Sequence, residues 1–495
     1  MGKFLSFPLI VFFLSGSFAE ARGQSNVVSA NVRQRYQQLA NRFEGQLKQL
    51  ATKYEDQGQS EAGVAIRELL VPREEELLTV QVFQTNGQPA AATPPAPRQE
   101  WQVALTRIRK QHAKELFDLA ATAFRAGEVS LSYDLVREVI VHDQDHGSAR
   151  SLMGHTKHRD QWVTPYAATK LKSGQIWDAR FGWIPKNQLP RLENGEQLWK
   201  GQWLPASEVT RYRSGWASAW EIETEHYTVK TNVSLERGVE FAAKLEKLYA
   251  MFFRLFAGFF SPREQLALMF DPPNRRTAAG KTDDVARRQP KRFRVNFYRA
   301  RDEYMETLRP FVKTGLDIST GMYLTGTHTA YFYVHEQMDE STVIHEATHQ
   351  LFSECRDHRN GDGSRGNYWV LEGIACYMES FRDRGDRVEL GTWDTPRLMA
   401  ARRRMQKFIP LERLVQLDLK DFEGPDVVDL YVQSAALCHF FMHHDGGSSR
   451  EAFVKYLEEV YLGRANYQSL TDLVGSDFAT LERQFLEHVT QGKTR

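Results

Sequence analysis

The sequence predicts a multidomain α+β protein, and three observations carry that expectation. The first part of the chain repeats apolar residues at helical spacing. A short middle stretch, from Trp162 to Trp220, holds seven of the ten tryptophans among Gly and Pro, as small β-hairpins do. From about Trp216 onward, strand-like alternation and helix-like periodicity follow each other in turn. At 495 residues the chain exceeds one ordinary domain.

Composition narrows the function classes. The apolar fraction of 41% and charged fraction of 26% are those of a globular protein. A net charge of +1 gives no global field toward nucleic acid or an anionic membrane, so neither is an expected partner. Three cysteines, Cys355, Cys376 and Cys438, make no disulfide framework and read as small buried residues.

Residues 1–21 have Lys3, an apolar run from Phe4 to Phe18, and small residues at Ser17, Ala19 and Ala21. That is the layout of a cleaved export signal, to a periplasm or out of the cell, with no stable membrane span left after cleavage. Myristoylation at Gly2 and an uncleaved anchor are the rival readings. Residues 24–84 are expected to be helical, with Arg33, Tyr36, Leu39, Phe43, Leu47 and Leu50 at helical spacing. Residues 85–99, with Pro89, Pro94, Pro95 and Pro97, read as a linker.

Residues 100–155 read as a helical hairpin. Leu116, Leu119, Ala120 and Ala123 form one stripe, Gly127 breaks it, and Leu135, Val136, Val139 and Ile140 form the next. Residues 156–215 form the Trp-rich β module, in which Gly182-Trp183-Ile184-Pro185 and Gly201-Gln202-Trp203-Leu204-Pro205 predict two copies of one hairpin. Residues 216–495 form the large α/β part. It opens on a strand at Glu223–Thr231 and a helix at Val239–Phe260, with further strands at Leu266–Phe270 and Phe293–Tyr298. Basic residues 273–294 read as a loop, and Gly321–Val334 as a hairpin or edge segment.

The chemistry gathers in this last part. Val343-Ile344-His345-Glu346-Ala347-Thr348-His349-Gln350 contains H-E-x-x-H, with Asp339 and Ser341 placed to cap the helix. One helical turn separates His345 from His349, so both imidazoles face one Zn²⁺. Glu346, directly after the first ligand, is placed as a general base. A catalytic zinc takes three protein ligands. Glu372, set among Trp369, Val370, Leu371 and Ile374, is the candidate third, because an acid in such surroundings needs a partner.

The run Trp369-Val370-Leu371-Glu372-Gly373-Ile374-Ala375-Cys376-Tyr377-Met378-Glu379, after H-E-x-x-H, resembles the gluzincin metallopeptidases, the clan of thermolysin and aminopeptidase N. The resemblance spans about residues 217–490. It implies a gluzincin-like fold, zinc on His345, His349 and Glu372, a peptide or protein substrate, and Tyr431 as oxyanion donor in Tyr431-Val432-Gln433-Ser434-Ala435-Ala436. The 22 residues between His349 and Glu372 exceed the aminopeptidase spacing by a few. The Gly-Ala-Met-Glu-Asn anchor for a substrate amine has no counterpart, which favours an endopeptidase. The residue 100–155 hairpin resembles one tetratricopeptide-type unit. The whole layout is similar to exported bacterial proteins grouped as peptidase-MA-like. An exported scaffold with a structural metal site, recruiting a protein or envelope partner through the N-terminal modules, is one alternative; a zinc hydrolase of a cell-envelope amide is the other.

Overall fold

A computed structural model describes residues 15–70, 77–83, 86–87, 99–260, 270, 292–313, 315–335, 340–355 and 366–492. The fold mixes α and β, with helices dominating and small sheets between them. The chain divides into two units, Met1–Val71 with Ala96–His146, and Pro72–Pro95 with Gly147–Arg495. The export-signal reading rests mainly on residues 1–14, and the linker and basic-loop readings mainly on residues 88–98 and 271–291; these lie outside the described residues, as does the strand reading of Leu266–Phe270 apart from Phe270 itself. Among the described residues, no helix is long and apolar enough to cross a membrane.

The first unit is helical: α1 (Ser15–Asp56), α2 (Ser60–Arg67), α3 (Glu100–Arg125) and α4 (Val129–His142). Phe43, Leu47, Leu50 and Tyr54 recur every three or four residues on α1, and pack with Ala62 and Ile66 of α2 against Trp101, Leu105 and Ile108 of α3. The predicted stripes of α3 and α4 are buried, and Gly127 takes the left-handed conformation between them (φ 90°).

The helical expectation for residues 24–84 needs correction. Gly58 (φ 77°) separates α1 from α2, and α2 ends at Arg67. Leu78–Gln81 is a strand, β1, that belongs to the second unit and pairs antiparallel with Arg387–Leu390. The cause is a change of period: Leu78 and Val80 are buried while Thr79 is exposed, a repeat of two rather than 3.6.

In the second unit α5 (Gly147–Leu152) leads into the Trp-rich stretch, which holds three hairpins rather than the expected two. They are β2–β3 (Thr156–His158, Gln161–Val163), β4–β5 (Gln175–Asp178, Gly182–Pro185) and β6–β7 (Glu196–Trp199, Gln202–Pro205), each antiparallel. A short helix follows each: α6 (Pro165–Lys172), α7 (Leu189–Glu193) and α8 (Ala206–Arg213). Gly154, Gly174 and Gly195, all at positive φ, stand just before the successive hairpins and mark the repeat. The tryptophans are half-buried: Trp183 packs on Val163, Ala167 and Ala168, and Trp203 on Phe181, Ile184 and Leu192.

A five-stranded sheet follows, in the order β11-β12-β10-β9-β8. Glu223–Thr231 is not one strand: β8 (Trp220–Glu223) turns at 224–226 into β9 (Tyr227–Thr231). β9, β10 (Phe293–Tyr298) and β12 (Thr329–Tyr333) run parallel, and β11 (Gly321–Leu324) closes the edge antiparallel to β12. One face packs on α9 (Leu235–Leu255), where Phe241 stacks on Phe297 at 4.5 Å between ring centroids. After α10 (Ala257–Phe260) and α11 (Arg301–Leu308) come α12 (Glu340–Glu354) and α13 (Tyr368–Met378). β13 (Arg382–Asp383) and β14 (Arg387–Leu390) complete a small sheet with β1. Helices α14 (Pro396–Arg404), α15 (Leu411–Leu414), α16 (Val427–Gly447), α17 (Arg450–Tyr461), α18 (Ser469–Val474) and α19 (Phe478–Gln491) finish the unit.

Candidate metal centre

Helix α12 buries Val343, Ile344, Ala347, Leu351 and Phe352 in the main core, which leaves His345 and His349 together on another face. It starts at Glu340, so Ser341, expected as a cap, lies inside the helix; Asp339, the other expected cap, lies outside the described residues. Helix α13 is different, because every residue from Trp369 to Met378 is buried. A helix that is apolar all round belongs in a core, and it carries Glu372 into that core. Gly373 permits its close approach to α16: a Cβ there would stand 2.8 Å from the Ser434 carbonyl oxygen and 2.9 Å from Cys438 Sγ.

The three predicted ligands meet. His345 Nε2 and His349 Nε2 are 3.1 Å apart. Glu372 Oε2 is 3.4 Å from the first and 3.6 Å from the second. Donors about 2.0–2.1 Å from a tetrahedral ion stand roughly 3.3 Å from one another, so this triangle fits one Zn²⁺. The donor set, two imidazoles and a carboxylate, also suits that metal.

An outer layer holds two of the three candidate ligands, His345 and Glu372. Glu379 Oε1 lies 2.9 Å from His345 Nδ1, so Nδ1–H donates there and Nε2 keeps its lone pair for a metal. Arg397 Nε donates to both Glu379 oxygens, at 3.1 and 3.0 Å. Tyr368 Oη donates to Glu372 Oε1 at 2.8 Å, leaving Oε2 turned to the histidines. Cys376 also comes near, with Sγ 3.9 Å from His345 Nδ1. Burial pushes its thiol up. His345, Cys376 and Glu379 also make a donor group that could hold an ion, sharing His345 with the first. Tyr368 was legible by spacing, four residues before Glu372 on the same helix, and Glu379 stands seven residues after it at the helix C-cap. Arg397, from another helix, had no sequence signal.

Electrostatics separates the two carboxylates. Burial pushes Glu372 up, but the imidazoles of His349 and His345 outweigh it and hold the carboxyl well below its usual range. Burial pushes Glu346 up, and there it outweighs the attraction of His345 and His349. Edge strand β11 positions Glu346: the Tyr323 backbone N–H donates to Glu346 Oε2 at 2.8 Å. Tyr431, in the first turns of α16, is half-buried with the Arg397 guanidinium 5.2 Å from its ring centroid. Burial first, then Glu372 and Tyr368, raise its hydroxyl far above the usual range, so it remains a proton donor. All three cysteines are free, with Cys376 and Cys438 buried.

Comparison of the chain with protein-family models finds no match, and neither does comparison with curated proteins.

Proposed function

We propose that this chain is an exported zinc-dependent hydrolase of peptide bonds, an endopeptidase of gluzincin-like fold. The observation that carries the reading is the donor triangle of His345, His349 and Glu372, with edges of 3.1–3.6 Å, beside a carboxylate tied to a sheet edge. Zinc at these ligands supplies Lewis acidity, which polarises a carbonyl and acidifies water.

The remaining roles belong to the protein. Glu346 accepts a proton from the attacking water and returns it to the leaving nitrogen. Tyr431 donates its hydroxyl toward the charge that develops on the carbonyl oxygen. Strand β11 is the edge of its sheet, and an extended peptide laid along it gains backbone hydrogen bonds. That mode reads a stretch of main chain rather than a chain end, in keeping with an endopeptidase. The α3–α4 hairpin, similar to one tetratricopeptide-type unit, would serve a protein or envelope partner.

The test is zinc content by mass spectrometry on wild type and on a His345→Ala, His349→Ala variant, followed by cleavage of a peptide library. About one zinc fewer in the variant than in wild type, with cleavage abolished by Glu346→Gln, supports the reading. A wild type that holds no more zinc than the variant after supplementation sinks it.

A further inference from the structure

A second group of metal-binding side chains lies in the helical unit, within Ala96–His146 and apart from the α12–α13 centre. His112 comes from α3; Glu138 and His142 come from α4, one turn apart. His112 Nε2 and His142 Nε2 approach the same oxygen, Glu138 Oε1, at 3.8 and 3.7 Å. All three donor atoms lie within 4.8 Å of one another.

Three features mark this as more than a chance grouping. His112 is only 3% exposed, and its Nε2 has no hydrogen-bond partner. A buried orphan nitrogen is destabilising, and a bound ion would offset that cost. Glu138 is also held from outside: Tyr36 Oη of α1 donates to Oε2 at 2.9 Å, so Oε1 faces the histidines. The rings are fixed by packing, with Phe43 stacked on His112 at 4.2 Å and edge-on to His142 at 4.8 Å.

We propose that His112, Glu138 and His142 form a second divalent metal site, selective for imidazole-preferring ions such as zinc, which ties α3 to α4. Each imidazole nitrogen must close on Glu138 Oε1 by a few tenths of an ångström around an ion at about 2.0–2.1 Å, so the site tightens on binding. Arg109 is the positive charge nearby, and its guanidinium donates to the Val141 carbonyl. Two imidazoles and one carboxylate exclude a calcium or magnesium preference, since those ions take oxygen ligands.

The experiment is zinc stoichiometry on four full-length proteins. Wild type is expected to hold about two ions, and the His345→Ala, His349→Ala and the His112→Ala, His142→Ala variants about one each. The fourfold variant holds none. Two other results overturn the proposal: wild type and the His112→Ala, His142→Ala variant binding equal zinc, or the His345→Ala, His349→Ala variant binding none.

The second measurement covers a His112→Ala, His142→Ala chain that does not fold. The His345→Ala, His349→Ala protein, which keeps only the helical site, is melted with zinc and with chelator. Zinc raising its midpoint by about 2 °C or more supports the site, and coincident melts overturn it. Loss of the hydrolase reading alone appears as zinc retained at α3–α4 with the α12–α13 variant unchanged in metal content.

Discussion

The two histidine–glutamate clusters use the same local device and differ in everything around it. Each places two donors one turn apart on one helix, His345 and His349 on α12, Glu138 and His142 on α4. Each takes its third donor from a second helix. At α12–α13 the donors already stand 3.1–3.6 Å apart. At α3–α4 the two histidine–Glu138 separations are 3.8 and 3.7 Å. The difference tracks the outer contacts. His345 is held by Glu379, Glu379 by Arg397, and Glu372 by Tyr368. The helical cluster has Tyr36 on Glu138 and aromatic packing on its rings. Ligand spacing brings donors near, while outer contacts set how much must be reordered when an ion arrives. Zinc is therefore expected to bind more tightly at α12–α13.

The largest expected effect separates chemistry from metal binding. Glu346→Gln keeps the size and the Tyr323 contact but removes the base, so turnover should fall roughly 10²–10⁴-fold with zinc content unchanged. Steady-state kinetics with parallel metal analysis checks this; retained turnover would remove Glu346 from the mechanism. Next comes Tyr431→Phe. Loss of an oxyanion donor should lower kcat about 10²–10³-fold with little change in KM. Tyr368→Phe is the control, because that hydroxyl holds Glu372 and its loss should weaken zinc rather than kcat at saturating metal.

The two candidate histidine ligands were readable because they sit at a spacing that one helix enforces. Glu372 was readable for another reason, an acid among Trp369, Val370 and Leu371 having no stable place without partners. What escaped depends on contacts between elements. β1 joins β14 from more than three hundred residues away, and nothing local announces that pairing. The first hairpin escaped because its turn uses Arg159 at φ 54°, where the other two have Gly182 and Gly201. His112 was invisible as a donor, since its partners lie on another helix and the stripe beside it reads as ordinary core.

A smaller effect tests the outer layer directly. Glu379→Gln keeps the shape, but the neutral amide weakens both the bond from His345 Nδ1–H and the pairing with Arg397. Zinc affinity at α12–α13 should fall about 10–100-fold, measured by competition with a chromophoric chelator. An unchanged affinity would mean that the donor triangle is held by helix packing alone.

The smallest effect is expected where the outer layer is thinnest. Tyr36→Phe removes the hydroxyl that donates to Glu138 Oε2 while leaving the ring of α1 in place. A single hydrogen bond to a charged acceptor contributes about 1–2 kcal/mol, so zinc affinity at α3–α4 should fall about 5–30-fold at most. The measurement is chelator competition in the His345→Ala, His349→Ala background, where the helical site is alone. A loss as large as that from Glu379→Gln would break the comparison, because one tyrosine would then constrain its site as firmly as the Glu379–Arg397 pair does. A loss near the lower bound would sharpen it: Phe43 and the helix backbones would carry the His112 and His142 rings, and the orphan Nε2 of His112 would be the main reason an ion is held there.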